Sequence, residues 1–189
     1  FKNVNSRGKN SSKYKNNLEV EMLSTFLFQS SYPLLREGIN FNNYLTPQVS
    51  LRYSPNNMKN LKNENRRVDV LNVWSLNRIA SSETIESGQS LTIGGGYKKT
   101  RKDGDKDVIN IDLATVFRDE INENIPLTSS LRNKSSDIIG SINLSQSDFF
   151  STKYNFSLDN NFDVLKYNEL SANFTVNNFV TSFKYLEEN

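Results

Sequence analysis

The sequence predicts an all-β fold, an antiparallel up-and-down meander whose strands carry one apolar and one polar face. Three observations carry this. First, apolar residues recur at every second position in Ile109, Ile111, Leu113 and Phe117, in Ile138 to Leu144, and in Phe150 to Leu158. A period of two turns alternate side chains to opposite faces. Second, these stretches follow one another through short polar connections, which favours antiparallel neighbours. Third, the chain is polar yet rich in aromatic residues: 35% hydrophobic, 11% aromatic, with a mean hydropathy of −0.62. A disordered tail would carry fewer aromatic residues. A barrel wall with a polar lumen, polar loops and one apolar band fits this composition. So does a soluble β-protein with long loops.

Residues 1–15 read as a loop, with Asn5, Gly8 and Asn10 as turn formers. Asn16 to Gln29 reads as a strand with Leu18, Val20, Met22, Phe26 and Phe28 on one face, although Leu23 and Leu27 leave a helix open. Residues 33–43 read as a turn, and Leu45 to Tyr53 as a strand. Pro47 has no N–H, so it belongs near that strand's start or in a bulge. Residues 54–67 form a long polar loop around Pro55-Asn56-Asn57. Val68 to Ile79 fits neither period, leaving a short strand or a helical turn.

Gly88 opens a strand of about a dozen residues containing Gly94-Gly95-Gly96, a triplet that marks a bend or a close approach. Asp103-Gly104 is a hairpin tip. Asp107–Glu120, Ser135–Gln146 and Phe149–Asp159 are strands, the last two joined by a tight turn. Glu169–Val176 and Phe179–Leu186 close the chain as a hairpin around Asn177-Asn178. The total is about eight or nine strands in one domain, 1–189. Short turns at one end and long loops at the other are the asymmetry of an outer-membrane barrel.

The two faces then acquire expected environments. Ile109, Ile111, Leu113, Phe117, Ile142, Leu144, Tyr154 and Phe156 are expected to face lipid. Asn110, Asp112, Arg118, Asn143, Lys153 and Asn155 lie on the other side, which in a barrel faces the lumen and in a soluble sheet is an ordinary wet face. Beside Arg118, Asp119-Glu120 reads as local charge pairing. Eight or nine such strands cannot close a wide barrel, so the expectation is an open, curved sheet with unpaired edges, which would aggregate in water.

Several classes of function lose support. The net charge of +2 comes from interspersed acids and bases and does not suggest nucleic acid. With no His, Ser136-Asp137 cannot belong to a Ser-His-Asp triad, and with no Cys there is no thiolate metal site. Catalytic residues, cofactors and metal ligands are therefore all expected to be none.

Three stretches resemble the LptD family, the lipopolysaccharide (LPS) assembly proteins of the bacterial outer membrane. Leu45 to Pro55, with Pro47 inside it, is similar to the family's L-x-P-x-(apolar)-x-(apolar)-x-Y-x-P strand. Asn77-Arg78, followed by Glu83, Ile85, Glu86, Gly88, Leu91, Thr92 and Gly94, resembles its N-R-x-x-G-x-D-x-I-E-x-G-x-x-L-T-Y-G signature. Ser136 to Gly140 resembles a later S-D-(apolar)-(apolar)-G strand start. Ser82 stands near the family's glycine, Glu83 near its aspartate, and Ile93 replaces an aromatic residue.

The resemblance implies a portion of a barrel of about 26 strands in the Gram-negative cell outer membrane. It implies a non-enzymatic translocon that places LPS in the outer leaflet. The implied partners are LPS, an LptE-like plug lipoprotein and a periplasmic Lpt bridge reached through an N-terminal domain outside this stretch. The alternatives are a porin-like channel and a soluble β-sandwich binding module.

Overall fold

The computed structural model describes residues 1–11, 14–104, 106–145 and 147–189. Among these, eleven strands form two antiparallel sheets. The smaller sheet pairs β1 (Lys2–Ser6) with β2 (Glu19–Leu23). The larger contains β3 (Phe26–Ser31), β4 (Leu34–Glu37), β5 (Phe41–Ser54), β6 (Gly88–Arg101), β7 (Lys106–Arg118), β8 (Ile138–Ser145), β9 (Phe150–Leu158), β10 (Leu165–Val176) and β11 (Phe179–Glu188). Its order is β11-β10-β9-β8-β7-β6-β5-β3, with β4 also on β5, so neighbours in sequence are neighbours in space. The two ends of this order do not pair. The fold is all-β, an antiparallel meander left open.

The meander follows from the alternation and from its turns. β10 and β11 register Val176 opposite Phe179, leaving Asn177-Asn178 as a two-residue connection. Asn177 adopts φ 51°, which asparagine tolerates better than most residues. The turn between β6 and β7 contains Gly104 at φ 90°. Asp105 and Gln146, which belong to two of the expected turns, lie outside the described residues.

Several expectations are corrected. Residues 1–15 are not all loop: they contain β1, whose only buried apolar residue is Val4. One apolar side chain is too little pattern to announce a strand. The expected strand 16–29 is broken at Ser24-Thr25 into β2 and β3, which belong to different sheets. The turn at 33–43 contains β4, which pairs Leu34 with Leu45. Val68 to Ile79 is a series of turns, neither strand nor helix. Pro47 lies inside β5, opposite the break between β3 and β4. Its carbonyl accepts the Tyr32 N–H at 3.0 Å, and its missing donor falls where the partner strand is interrupted.

The chain divides into two compact units: Phe1–Gln29, Ser50–Thr92 and Val116–Ser136 in the first; Ser30–Val49, Ile93–Thr115 and Asp137–Asn189 in the second. The first holds β1–β2, one end of β5, β6 and β7, and the long connections 55–87 and 119–136. Its buried apolar side chains lie mostly in those connections: Leu61, Val73, Ile79, Ile125 and Leu131. The second is sheet, with short turns at 38–40 and 177–178.

In the second unit the glycine triplet has a steric cause. A Cβ on Gly94 would lie 2.8 Å from the Ala114 Cα on the neighbouring strand. Only glycine fits that approach.

Candidate functional site

Register fixes which residues share a face, because residues directly opposite on antiparallel strands point the same way. Ile111, Ile142, Tyr154, Leu170 and Tyr185 form one continuous row across β7 to β11. Ile109, Leu144, Thr152, Ala172 and Phe183 form the next. A third row runs Leu113, Gly140, Phe156, and the Phe156 ring fills the space that a Cβ on Gly140 would need. On the other face run Asn110, Asn143, Lys153, Ser171 and Lys184, then Asp112, Ser141, Asn155 and Glu169.

This polar face is internally bonded. Asn155 donates to Glu169 at 3.0 Å, the Tyr167 hydroxyl donates to the same carboxylate at 2.9 Å, and Lys184 pairs with it at 2.6 Å. Asp137 accepts from the Ser157 hydroxyl at 3.0 Å and from Lys166 at 2.7 Å.

Exposure inverts the usual arrangement. In the first unit, Leu51 is 54% exposed and Phe117 43%, while Arg52 and Arg118 beside them in sequence are 3% and 6%. An open groove of about 500 Å³ runs over the apolar side, lined by Phe26, Phe28, Leu51, Tyr53, Leu91 and Phe117 among others. In the second unit, Leu113 is 43% exposed. A water-soluble fold seldom leaves so much contiguous apolar surface bare while burying arginine.

The buried arginines converge on one carboxylate. Glu86, fully buried, receives a bidentate pair from Arg78: Nε donates to Oε2 at 3.0 Å and Nη2 to Oε1 at 2.7 Å. Arg78 also donates to the hydroxyls of Ser90 at 2.8 Å and Thr92 at 3.1 Å on β6. Arg118, at the end of β7, donates to Oε1 of Glu86 and to the Ser87 carbonyl at 2.6 Å. Arg52, on β5, donates to the Glu86 carbonyl at 2.9 Å and to the Leu76 carbonyl at 3.3 and 3.2 Å. Burial alone would push the Glu86 carboxyl up. Arg78, Arg52 and Arg118 together overcome this and hold it below the ordinary carboxylate range.

The residues of the expected signature fall largely into this cluster. Asn77 closes its turn by donating to the Ser81 carbonyl at 2.8 Å, and Arg78, Glu86 and Thr92 form the bonded centre. Ile85 packs with Val4 of β1 and Leu23 of β2. Gly88 adopts φ 88°, and a Cβ there would meet the Arg118 guanidinium at 3.1 Å. Leu91 lines the apolar groove, Gly94 makes its close approach on β6, and Pro47 lies in β5. Glu83 is half-buried in the turn before Ile85, its N–H donating to the Ser81 hydroxyl at 3.2 Å.

One reading needs correction, and one residue was missed. Arg118 pairs with Glu86, thirty-two residues away, rather than with Asp119-Glu120. Arg52, not singled out in the sequence, is a full partner in the cluster. Its position among alternating apolar neighbours (Leu51 and Tyr53) was the available signal.

Comparison with curated proteins finds no match. The family model described as LptD: LPS transport system D matches residues 2–189. The chain therefore belongs to the LptD family, outer-membrane proteins of lipopolysaccharide transport and assembly.

Proposed function

We propose that this stretch is a segment of the wall of an LPS-translocating barrel, with hydrocarbon against Ile109, Ile111, Leu113, Phe117, Ile142, Leu144, Tyr154 and Phe156. Asn110, Asp112, Arg118, Asn143, Lys153 and Asn155 belong to the lumen side, which borders the saccharide path and an LptE-like plug. The periplasmic bridge is reached through another part of the full-length protein. The work is non-catalytic: a shaped, polar lumen passes the saccharide, and a lipid-facing wall holds the barrel in the membrane. Long connections 55–87 and 119–136 take the outer side, as outer-membrane barrels place their longer loops.

The observation that carries this reading is the inverted exposure: bare Leu51, Leu113 and Phe117 alternating with buried Arg52, Ala114 and Arg118. Strands β5, β6 and β7, at 13–14 residues, also exceed the roughly 9–11 that a tilted crossing needs. The test is a paired substitution in the full-length protein folded into lipid vesicles. Ile111→Arg, near the middle of β7, should cost about 2–4 kcal/mol. Asn110→Arg, on the polar face, should leave folding unchanged. Equal tolerance of the two would reverse or abolish the assigned faces.

A further inference from the structure

The cluster around Glu86 joins two kinds of structure inside the first unit. Arg52 and Arg118 stand on strands, while Glu86, Ser87, Leu76 and Arg78 stand on the long connection 55–87. The side-chain bonds of Arg52 run from the strand to that connection, and Arg118 adds two more. Three guanidiniums face one carboxylate, so the cluster holds two positive charges in excess, softened by backbone carbonyls. The Nε of Arg118 has no partner among the described residues. A buried pair is destabilised far more by losing the partner that leaves a charge uncompensated than by losing both. Here the asymmetry is extreme, because the only carboxylate in the group answers all three cations.

From this we infer that Glu86 is a charge latch: it pins the 55–87 connection, and the cap built from it, onto the polar side of β5 and β7. Elsewhere the 55–87 connection is tied to the small sheet by Lys59, paired with Glu21 at 2.9 Å, and by Lys2 donating to the Ser81 carbonyl at 3.0 Å. It is tied to the 119–136 connection by Asn122 on the Ser87 hydroxyl at 2.8 Å and Asn124 on the Met58 carbonyl at 3.2 Å; none of these four contacts reaches β5 or β7. Removing the Glu86 charge leaves three buried guanidiniums repelling one another, and the connection lifts. Removing Arg118 instead leaves Glu86 bonded to Arg78 and Arg52 and lowers the excess charge. The first variant should therefore open the cap and the second should leave it near the parent, though each deletes one half of the same ion pair. The inference rests on reading the strands as barrel wall and the long connections as its cap.

The experiment uses full-length protein in the outer membrane with Val73→Cys, a cap position 1% exposed, probed by a membrane-impermeant maleimide. Labelling is corrected against the same protein with Val73 intact. Glu86→Gln should speed labelling at least about tenfold. Arg118→Gln should leave the rate within about threefold of the parent. Glu86→Gln with Arg118→Gln should label more slowly than Glu86→Gln alone, since one repelling charge has gone.

Parent-like labelling of Glu86→Gln overturns the latch, and so does a double variant that labels as fast as the single one or faster. Retention of the heat-modifiable folded band on a gel is scored separately, because its loss in the Ile111→Arg and Asn110→Arg pair concerns the barrel reading alone. If neither Glu86→Gln nor the double variant gives that band, the latch is also overturned, since opening a cap does not unmake the wall.

Discussion

The two compact units bury apolar surface by different means. In the first, Leu61 is 1% exposed and Ile125 0%, both in irregular connections that form a conventional protein interior. In the second, the strands keep their apolar side open, with Leu170 at 39% and Phe183 at 60%. The same side-chain chemistry therefore has two destinations, a protein interior in the connections and an open sheet face in the strands, the face that the proposed function assigns to lipid. Among the described residues, most of the buried apolar side chains lie in the connections rather than in the strands. Backbone requirements account for the difference: a lipid-facing surface must come from a bonded sheet, whereas irregular chain is tolerated where protein or a polar cavity surrounds it.

The largest expected effect would break the first half of the comparison. Glu86→Gln leaves uncompensated charge in a dry site and should cost the cap about 3–5 kcal/mol, read as faster proteolysis within 55–87 of the folded protein. Matched leucines sharpen it next. Leu61→Ala should cost about 2–5 kcal/mol in any folding assay, whereas Leu51→Ala, on the bare face, should cost less than about 1 kcal/mol and only in lipid.

A pH titration separates the same two regions. Because the folded Glu86 carboxyl titrates below its ordinary value of 4.5, its stabilising contribution is complete above that pH. It is lost as pH falls through the lower folded value. Protease protection of 55–87 should hold from neutral pH to about 5 and then decline on further acidification, and Glu86→Gln should remove that Glu86-dependent part. The smallest effect belongs to the exposed Lys106–Asp148 pair, 2.6 Å apart with both side chains more than half exposed. Lys106→Ala should leave stability within measurement error, because exposed pairs contribute little.

Much of the meander was legible in the sequence. Ile109, Ile111 and Leu113 alternate with Asn110 and Asp112, and a two-residue period leaves the backbone one way to satisfy both sets. The hairpin at Asn177-Asn178 was equally plain, since turn chemistry is local. The break at Ser24-Thr25 was not, because it separates strands belonging to different sheets and no local residue type announces it. The cap was illegible for a similar reason. Leu61, Val73, Ile125 and Leu131 follow no period and come from two connections separated by two strands, β6 and β7, and their turn.

By itself the sequence determined the alternating strands from Leu45 onward and the family resemblance carried by Asn77-Arg78 and Glu83 to Gly94, but not β1, β4 or the break at Ser24-Thr25. The tertiary structure alone decided what those signature residues do. Arg52, Arg78 and Arg118 meet Glu86 only when β5, β6 and β7 lie side by side and the 55–87 connection folds back over their ends. A charge acquires its partner from three-dimensional proximity, and no spacing along the chain encodes a carboxylate shared by three arginines.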